Sequence, residues 1–388
     1  MSGPRRTRRV PLSAVLTHLA LAVGGATMLL PLLWMVSTSL KEPGEAMTFP
    51  PEFLPRAPVT WTDPQTGQEL PVFRCDTLGT TAQVARLATR QGQAEVVVLA
   101  PETIAGQRLV VPLTVTVDGR PRRTLEPVKR LAFRWQNFPD AWNALKLQRN
   151  WMAWEWPYRL QIGPFRIGPL RSPGLPIRNA FLAFYLNSLL VTSIVTVGAV
   201  FTSSLAAFAF ARLRFPGRDK LFIGYLGTMM VPAVVTMIPV FVLTKLLGIH
   251  DTYLALILPP MFTAYGTFLL RQFFLSIPAE LEDAARMDGC GLWGIYRHVI
   301  LPLSRPALAT LTTFEFLSTW NSFMWPLIVI DSMERKPLMV GLYAFMGQYN
   351  TEWTLLMAAS LMVMAPVVIV FILGQRYFVK GIVLSGMK

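Results

Sequence analysis

Residues 280–302, ELEDAARMDGCGLWGIYRHVILP, place three acids in the first four positions, glycines in the middle and Leu301-Pro302 at the exit. Pro278 suits a first helical turn, and Glu280, Glu282 and Asp283 complement the positive end of the helix it opens. Leu281, Ala284 and Ala285 recur at i, i+3 and i+4 as a small flat apolar face, and Asp288-Gly289 supplies a left-handed stop. Trp293, Tyr296 and Ile300 then form the stripe of a second helix, which Pro302 closes. An acidic first helix is a poor match for the negative inner surface of a bilayer. The pattern fits a plug for a groove in a cytoplasmic protein better than a helix lying on lipid.

Both flanks of this segment are apolar. The chain has 388 residues, of which 53% are hydrophobic and 15% charged, with a mean hydropathy of +0.43. Soluble domains carry about 25% charged residues, so the balance indicates a membrane protein. Six runs are long enough to cross a hydrocarbon core of ~30 Å: Leu12–Val36, Ala183–Ala211, Leu221–Leu247, Tyr253–Phe274, Pro306–Ile330 and Leu355–Phe378. The first is too long for a cleavable leader and is read as an uncleaved span, with His18 packed inside it. The expected fold is therefore an all-α integral membrane protein of six transmembrane helices.

Basic residues orient it. Arg5, Arg6, Arg8 and Arg9 precede the first span; Arg212, Arg214, Arg218 and Lys220 fill the loop after the second; Arg376, Lys380 and Lys388 follow the last. By the positive-inside rule both termini, and the loop at 276–304, are cytoplasmic. The formal net charge of +14 comes with no nucleic-acid-binding motif, so no nucleic acid partner is expected. Cys75 and Cys290 fall on opposite sides of the membrane and cannot pair, and no metal spacing is present.

Three domains are expected: 1–40, the N-terminus and first span; 41–180, a long outer loop; and 181–388, the membrane core. Within the loop, AEVVVLAPE, QRLVVPLTVTVDGR and VKRLAFRW are strand-like runs, and Asp118-Gly119 is a hairpin turn, giving a small β-rich subdomain at about 60–135. NWMAWEWPY at 150–158 suits the headgroup level.

Polar residues inside the spans mark a candidate pathway. In the fifth, Thr312, Glu315, Thr319 and Ser322 share a stripe with Asn321 beside it, and a mid-membrane carboxylate calls for a water-filled route or a bundle interior. In the second, Tyr185, Ser188, Thr192 and Ser203 line up near Asn187. Interhelical hydrogen bonding is the simpler reading of the Ser and Thr residues, though not of Glu315. Pro232, Pro239 and Pro259-Pro260 are expected to bend or break the third and fourth spans.

The segment DAARMDGCGLWGIYRHVILP resembles the EAA motif of binding-protein-dependent ABC importer permeases. Asp283-Ala284-Ala285, Gly289, Val299 and Leu301-Pro302 keep every spacing, with Asp283 for the usual Glu and Cys290 for the common Ala. FLAFYLNSLLVTS, WNSFMWPLIV and the residues from Gly341 onward resemble carbohydrate-type permeases, of the class of the maltose permease's second membrane subunit. FPPEFLP at 49–55 and WQNFPDAW at 135–142 extend the resemblance, so 58–133 reads as an insertion. The resemblance implies a bacterial inner-membrane subunit, itself no enzyme, that pairs with a second homologous permease and receives sugar from an extracytoplasmic binding protein. It also implies docking of a cytoplasmic ATPase dimer at Glu282, Asp283, Ala284, Ala285, Asp288, Gly289, Leu301 and Pro302. ATP and Mg belong to that ATPase, and no cofactor is expected here, because no G-x-x-x-x-G-K-[ST] loop occurs. The translocation pathway is expected at Asn187, Ser188, Thr192, Glu315, Thr319 and Asn321. Two alternatives stay open: an ABC permease for a non-carbohydrate solute, and an ion-coupled secondary transporter, which calls for inverted repeats.

Overall fold

The computed structural model describes residues 12–48, 51–76, 81–90, 92–101, 103, 105–117, 120–152, 154–156, 160–162, 165–167, 170–172, 174–343, 346 and 352–385. Arg5, Arg6, Arg8, Arg9, the Asp118-Gly119 turn and Lys388 lie outside them. The chain divides into two compact units, 1–138 with 352–358 and 139–351 with 359–388.

The first unit opens with α1 (Leu12–Ser39), an apolar helix exposed over most of its length. Ten strands follow: β1 (Arg56–Pro58), β2 (Thr60–Thr62), β3 (Glu69–Cys75), β4 (Ala82–Arg90), β5 (Gln93–Ala100), β6 (Arg108–Pro112), β7 (Thr114–Val117), β8 (Arg120–Arg123), β9 (Leu125–Pro127) and β10 (Lys129–Leu131). A six-stranded sheet runs β2-β3-β4-β5-β6, with β9 on β3. Its core sets Val84 of β4, a strand outside the expected runs, against Ala94, Val96, Val98 and Val111 from two of those runs. β7 and β8 pair antiparallel from Thr114↔Arg123 to Val117↔Arg120, on either side of the expected turn.

The exit of α1 is tied to these strands by buried polar groups. Lys41 donates from Nζ to the Glu52 carbonyl at 2.7 Å and stands 4.3 Å over the Trp34 ring. Burial lowers its pKa, against the raising effect of Glu52 and Glu45. Asn137 donates to the carbonyls of Ser39 and Lys41, both at 2.8 Å.

α2 (Asn137–Asn143) lies at the boundary between the units. The second unit adds two short antiparallel pairs, β11 (Trp154–Trp156) with β14 (Leu170–Ser172) and β12 (Leu160–Ile162) with β13 (Phe165–Ile167). Its helices are α3 (Ala180–Arg212), α4 (Arg218–Gly227), α5 (Ala233–Leu246), α6 (Tyr253–Ile257), α7 (Ala264–Leu275), α8 (Glu280–Met287), α9 (Leu292–Ile295), α10 (Leu301–Leu303), α11 (Arg305–Trp320), α12 (Met324–Val329) and α13 (Leu338–Tyr343). α14 (Trp353–Ser385) begins in the first unit and continues into the second.

Among the described residues four helices are long and apolar enough to cross a membrane, or five when the bent pair Arg218–Met230 and Ala233–Leu246 counts as one. That pair turns by 98° at Pro232, as the prolines lead one to expect, whereas Pro239 sits inside α5. Pro259-Pro260 interrupt the fourth run with a short 3₁₀ turn. The fifth run departs from the expected continuous helix, because it breaks between Trp320 and Met324. Pro326 has no N–H for the Ser322 carbonyl and its ring crowds that residue, so the helix stops and restarts.

Candidate functional site

The segment at 280–302 folds as two short helices around a glycine stop. At the end of α8, Gly289 donates to the Arg286 carbonyl at 3.0 Å and Cys290 to the Ala285 carbonyl at 2.9 Å. These two bonds make a Schellman turn, which requires the left-handed φ of 84° seen at Gly289. A Cβ there would meet nothing within 4 Å, so backbone conformation rather than space demands glycine. After α9 the chain widens into a π turn, Tyr296–Ile300, with Leu301 donating to the Tyr296 carbonyl.

One side of this segment is fixed to the rest of the unit. Ala285, Ile295, Tyr296 and Ile300 enter a buried cluster with Ala207, Phe208 and Ala211 of α3, Leu270 and Phe274 of α7, and Leu311 of α11. Tyr296 and Ser204 share a hydrogen bond at 2.7 Å between their hydroxyls. Burial pushes the Tyr296 phenol up, and the Ser204 bond opposes this. Arg212, the last residue of α3, donates to the carbonyls of Phe274 and Ile277 at 2.5 and 2.6 Å and meets the Glu282 carboxylate at 2.8 Å.

The other side is bare. Met287 is 88% exposed, and Leu281, Leu292 and Trp293 are also exposed, as are Asp283, Ala284, Asp288, Gly289 and Pro302, with Leu301 half-buried. Three expectations change. Glu282 and Ala285, both expected on the docking surface, are buried: Glu282 turns toward Arg212, and Ala285 leaves the apolar face expected with Leu281 and Ala284 to pack in the cluster with α3 and α7. Trp293, expected in the buried stripe, is exposed, and Ile295 takes its place, because the π turn breaks the 3.6-residue register used to draw that stripe.

A cavity of about 640 Å³ lies between α3, α5, α11 and α12. Ser188, Thr192, Glu315 and Thr319 all reach it, joined by Thr236, Ser318 and Ser322. A second cavity of about 620 Å³, lined by Thr263, Tyr265 and Phe314, shares Glu315 and Ser318. Phe323 and Trp325 add aromatic surface to the first, the Trp325 Nε1 donating to the Ala255 carbonyl at 3.0 Å. Sequence reasoning missed Ser318 and Thr236. Ser318 lies at i+3 from Glu315, one step off the i+4 line that was followed. Thr236 is the one hydroxyl between Pro232 and Pro239.

Asn187 and Asn321 do not line these cavities. Asn321 turns its amide back to the Leu317 carbonyl at 2.8 Å. Asn187 is fully buried: its carbonyl accepts from Trp151 Nε1 at 2.6 Å and Tyr253 OH at 2.7 Å, and its amide donates to the carbonyls of Glu334 and Lys336 at 2.8 and 3.0 Å. Beside it, Asp251 accepts from the backbone N–H of Asp331 and Ser332 at 3.1 and 3.0 Å and from Arg335 at 2.9 Å.

A family model described as "Binding-protein-dependent transport system inner membrane component" matches residues 199–383. The arabinooligosaccharides transport system permease protein AraQ of Bacillus subtilis (strain 168) is 36% identical over 210 residues, covering 54% of this chain and 75% of that protein. The sn-glycerol-3-phosphate transport system permease protein UgpE of Salmonella choleraesuis (strain SC-B67) is 37% identical over 213 residues, 54% of this chain and 76% of that protein. A chain from the crystal structure of a bacterial ABC transporter for import of the acidic polysaccharide alginate superposes with a TM-score of 0.60 at 19% identity. It covers 97% of this chain and all of that one, a likeness of fold that takes in the strand-rich segment.

Proposed function

Because the chain belongs to the inner membrane components of binding-protein-dependent transport systems, we propose that it forms one half of the membrane pathway of an ATP-driven sugar importer. A second, homologous permease supplies the other half, and a cytoplasmic ATPase dimer carrying ATP and Mg drives alternating access. An extracytoplasmic binding protein delivers the solute to the outer face. The sugar assignment rests on the arabinooligosaccharide relative; the glycerol-3-phosphate relative favours a second reading, a phosphorylated polyol. Stimulation of the reconstituted ATPase by one solute class and not the other separates them.

Six spans with both termini cytoplasmic accommodate the helices when α4 and α5 form one span and α11 and α12 another. Residues 41–180 then lie outside as an inserted, β-rich loop, and 276–304 lie inside as the coupling loop. Thr192, Glu315 and Thr319 border the route, while Asn187 holds its outer end.

The observation that carries this reading is the two-sided coupling loop, wired to α3, α7 and α11 on one side and bare at Leu281, Ala284 and Met287 on the other. A groove in the ATPase receives the bare side, and the wired side passes its displacement to the bundle. Gly289 tests it. Gly289→Asn, which tolerates the left-handed region, is expected to keep ATPase co-purification and uptake, whereas Gly289→Val should insert normally and lose both. Normal co-purification of Gly289→Val sinks the docking role.

A further inference from the structure

Among the described residues, the cavity between α3, α5, α11 and α12 carries a single charge-bearing side chain. Of those lining it Glu315 is the only acid and none is Lys, Arg or His; the described lining of the adjoining cavity that shares Glu315 has no basic residue either. The other polar side chains are hydroxyls, notably Thr192, Thr236, Ser318, Thr319 and Ser322, apart from the Trp325 indole, whose N–H is taken by the Ala255 carbonyl. Sites that hold phosphate or carboxylate place guanidinium or ammonium groups against them, because an anion leaving water must recover its solvation. A solute carrying such a group finds no cation here. With Glu315 ionised it also meets a like charge between low-dielectric walls, where repulsion exceeds its value in water. With Glu315 protonated the cavity still offers no positive group. A neutral sugar fits in either state: its hydroxyls donate to the carboxylate and exchange hydrogen bonds with the Ser and Thr side chains, and its apolar face meets Phe323 and Trp325.

We propose that Glu315 makes this wall selective by charge, so that the solute carried is an uncharged or amino sugar and not a uronate or a sugar phosphate. This rests on the reading of the cavity as the translocation route.

The experiment uses the assembled transporter in lipid nanodiscs, with Cys75→Ala and Cys290→Ala as background and Thr319→Cys or, independently, Ser322→Cys as the reporter. During ATP turnover each is labelled with two methanethiosulfonate reagents of similar size, one bearing trimethylammonium and one sulfonate. Rates are divided by those for a small thiol in solution. The expected result is a preference of ~10-fold or more for the cationic reagent, collapsing toward unity when Glu315→Gln is added. Equal rates, or a preference that survives Glu315→Gln, overturn the charge selectivity while leaving the route intact. Failure of both reporters to react, while Val110→Cys on the exposed face of β6 reacts, overturns the route itself and the inference with it.

Discussion

The guanidinium of Arg212 and the carboxylate of Glu282 meet at 2.8 Å, with both side chains almost wholly out of solvent. The pair joins the last residue of a long apolar helix to the first turn of α8. The same guanidinium holds two carbonyls at the end of α7, so three elements converge on one cation.

Removing the carboxylate leaves that cation buried and half-compensated. Glu282→Ala is expected to destabilise the protein by about 3 kcal/mol, the range for breaking one side of a buried pair. Thermal unfolding of the purified complex gives the measurement. The exchanged pair Arg212→Glu with Glu282→Arg should not recover it, because a carboxylate at 212 cannot donate to Phe274 and Ile277. Full recovery by the exchange would show that the carbonyl bonds contribute little.

Two glycines offer a matched comparison of close packing. A Cβ on Gly341 would stand 2.1 Å from the Phe184 ring, and one on Gly198 would stand 2.1 Å from the terminal carbon of Met261. The Phe184 ring is itself fully buried, whereas a methionine end swings aside. Gly341→Ala is expected to cost about 2 kcal/mol and Gly198→Ala clearly less. Adding Phe184→Leu should recover part of the first loss and none of the second, as read from a double-mutant cycle of melting temperatures.

Asn187 makes four hydrogen bonds, to Trp151, Tyr253, Glu334 and Lys336. Asn187→Leu keeps the volume and strands an indole N–H, a phenol and two carbonyls, an expected loss of about 3 kcal/mol. The segment 330–337 should then be cut faster by protease than in the unsubstituted protein. Unchanged cleavage would mean that the Asp251–Arg335 bridge alone holds this segment.

Much of the 280–302 segment was legible because its signals are local. A first-turn acid cluster, a glycine at the helix stop and a Leu-Pro exit each act within a few residues, and the broken fourth span follows from two adjacent prolines. The orientation of side chains was less legible. Trp293 was placed in the buried stripe on an ideal helical period, which the π turn does not keep. Glu282 looked like a surface acid because its partner lies 70 residues earlier in the chain. Asn187 looked like a pathway residue because nothing in its own helix announces the carbonyls of Glu334 and Lys336, which reach it from 147 and 149 positions away. Hydroxyls on the fifth run were found where the period was followed and missed one step beside it, as Ser318 illustrates.

The π turn at Tyr296–Ile300 also gives the interval between Gly289 and Leu301-Pro302 a mechanical meaning. Arg297 and His298 inside it are exposed, so packing does not hold their side chains. The turn carries one residue more than an α-helical turn, so it is the place where the chain can lose one. Deleting either lets the i→i+5 bond close as i→i+4 and leaves Ala307 and Leu311 in the buried cluster. A deletion in the regular helix of α11 would instead rotate everything downstream by about 100°. The turn is a reserve of length, a point where the residue count can change by one while the register stays.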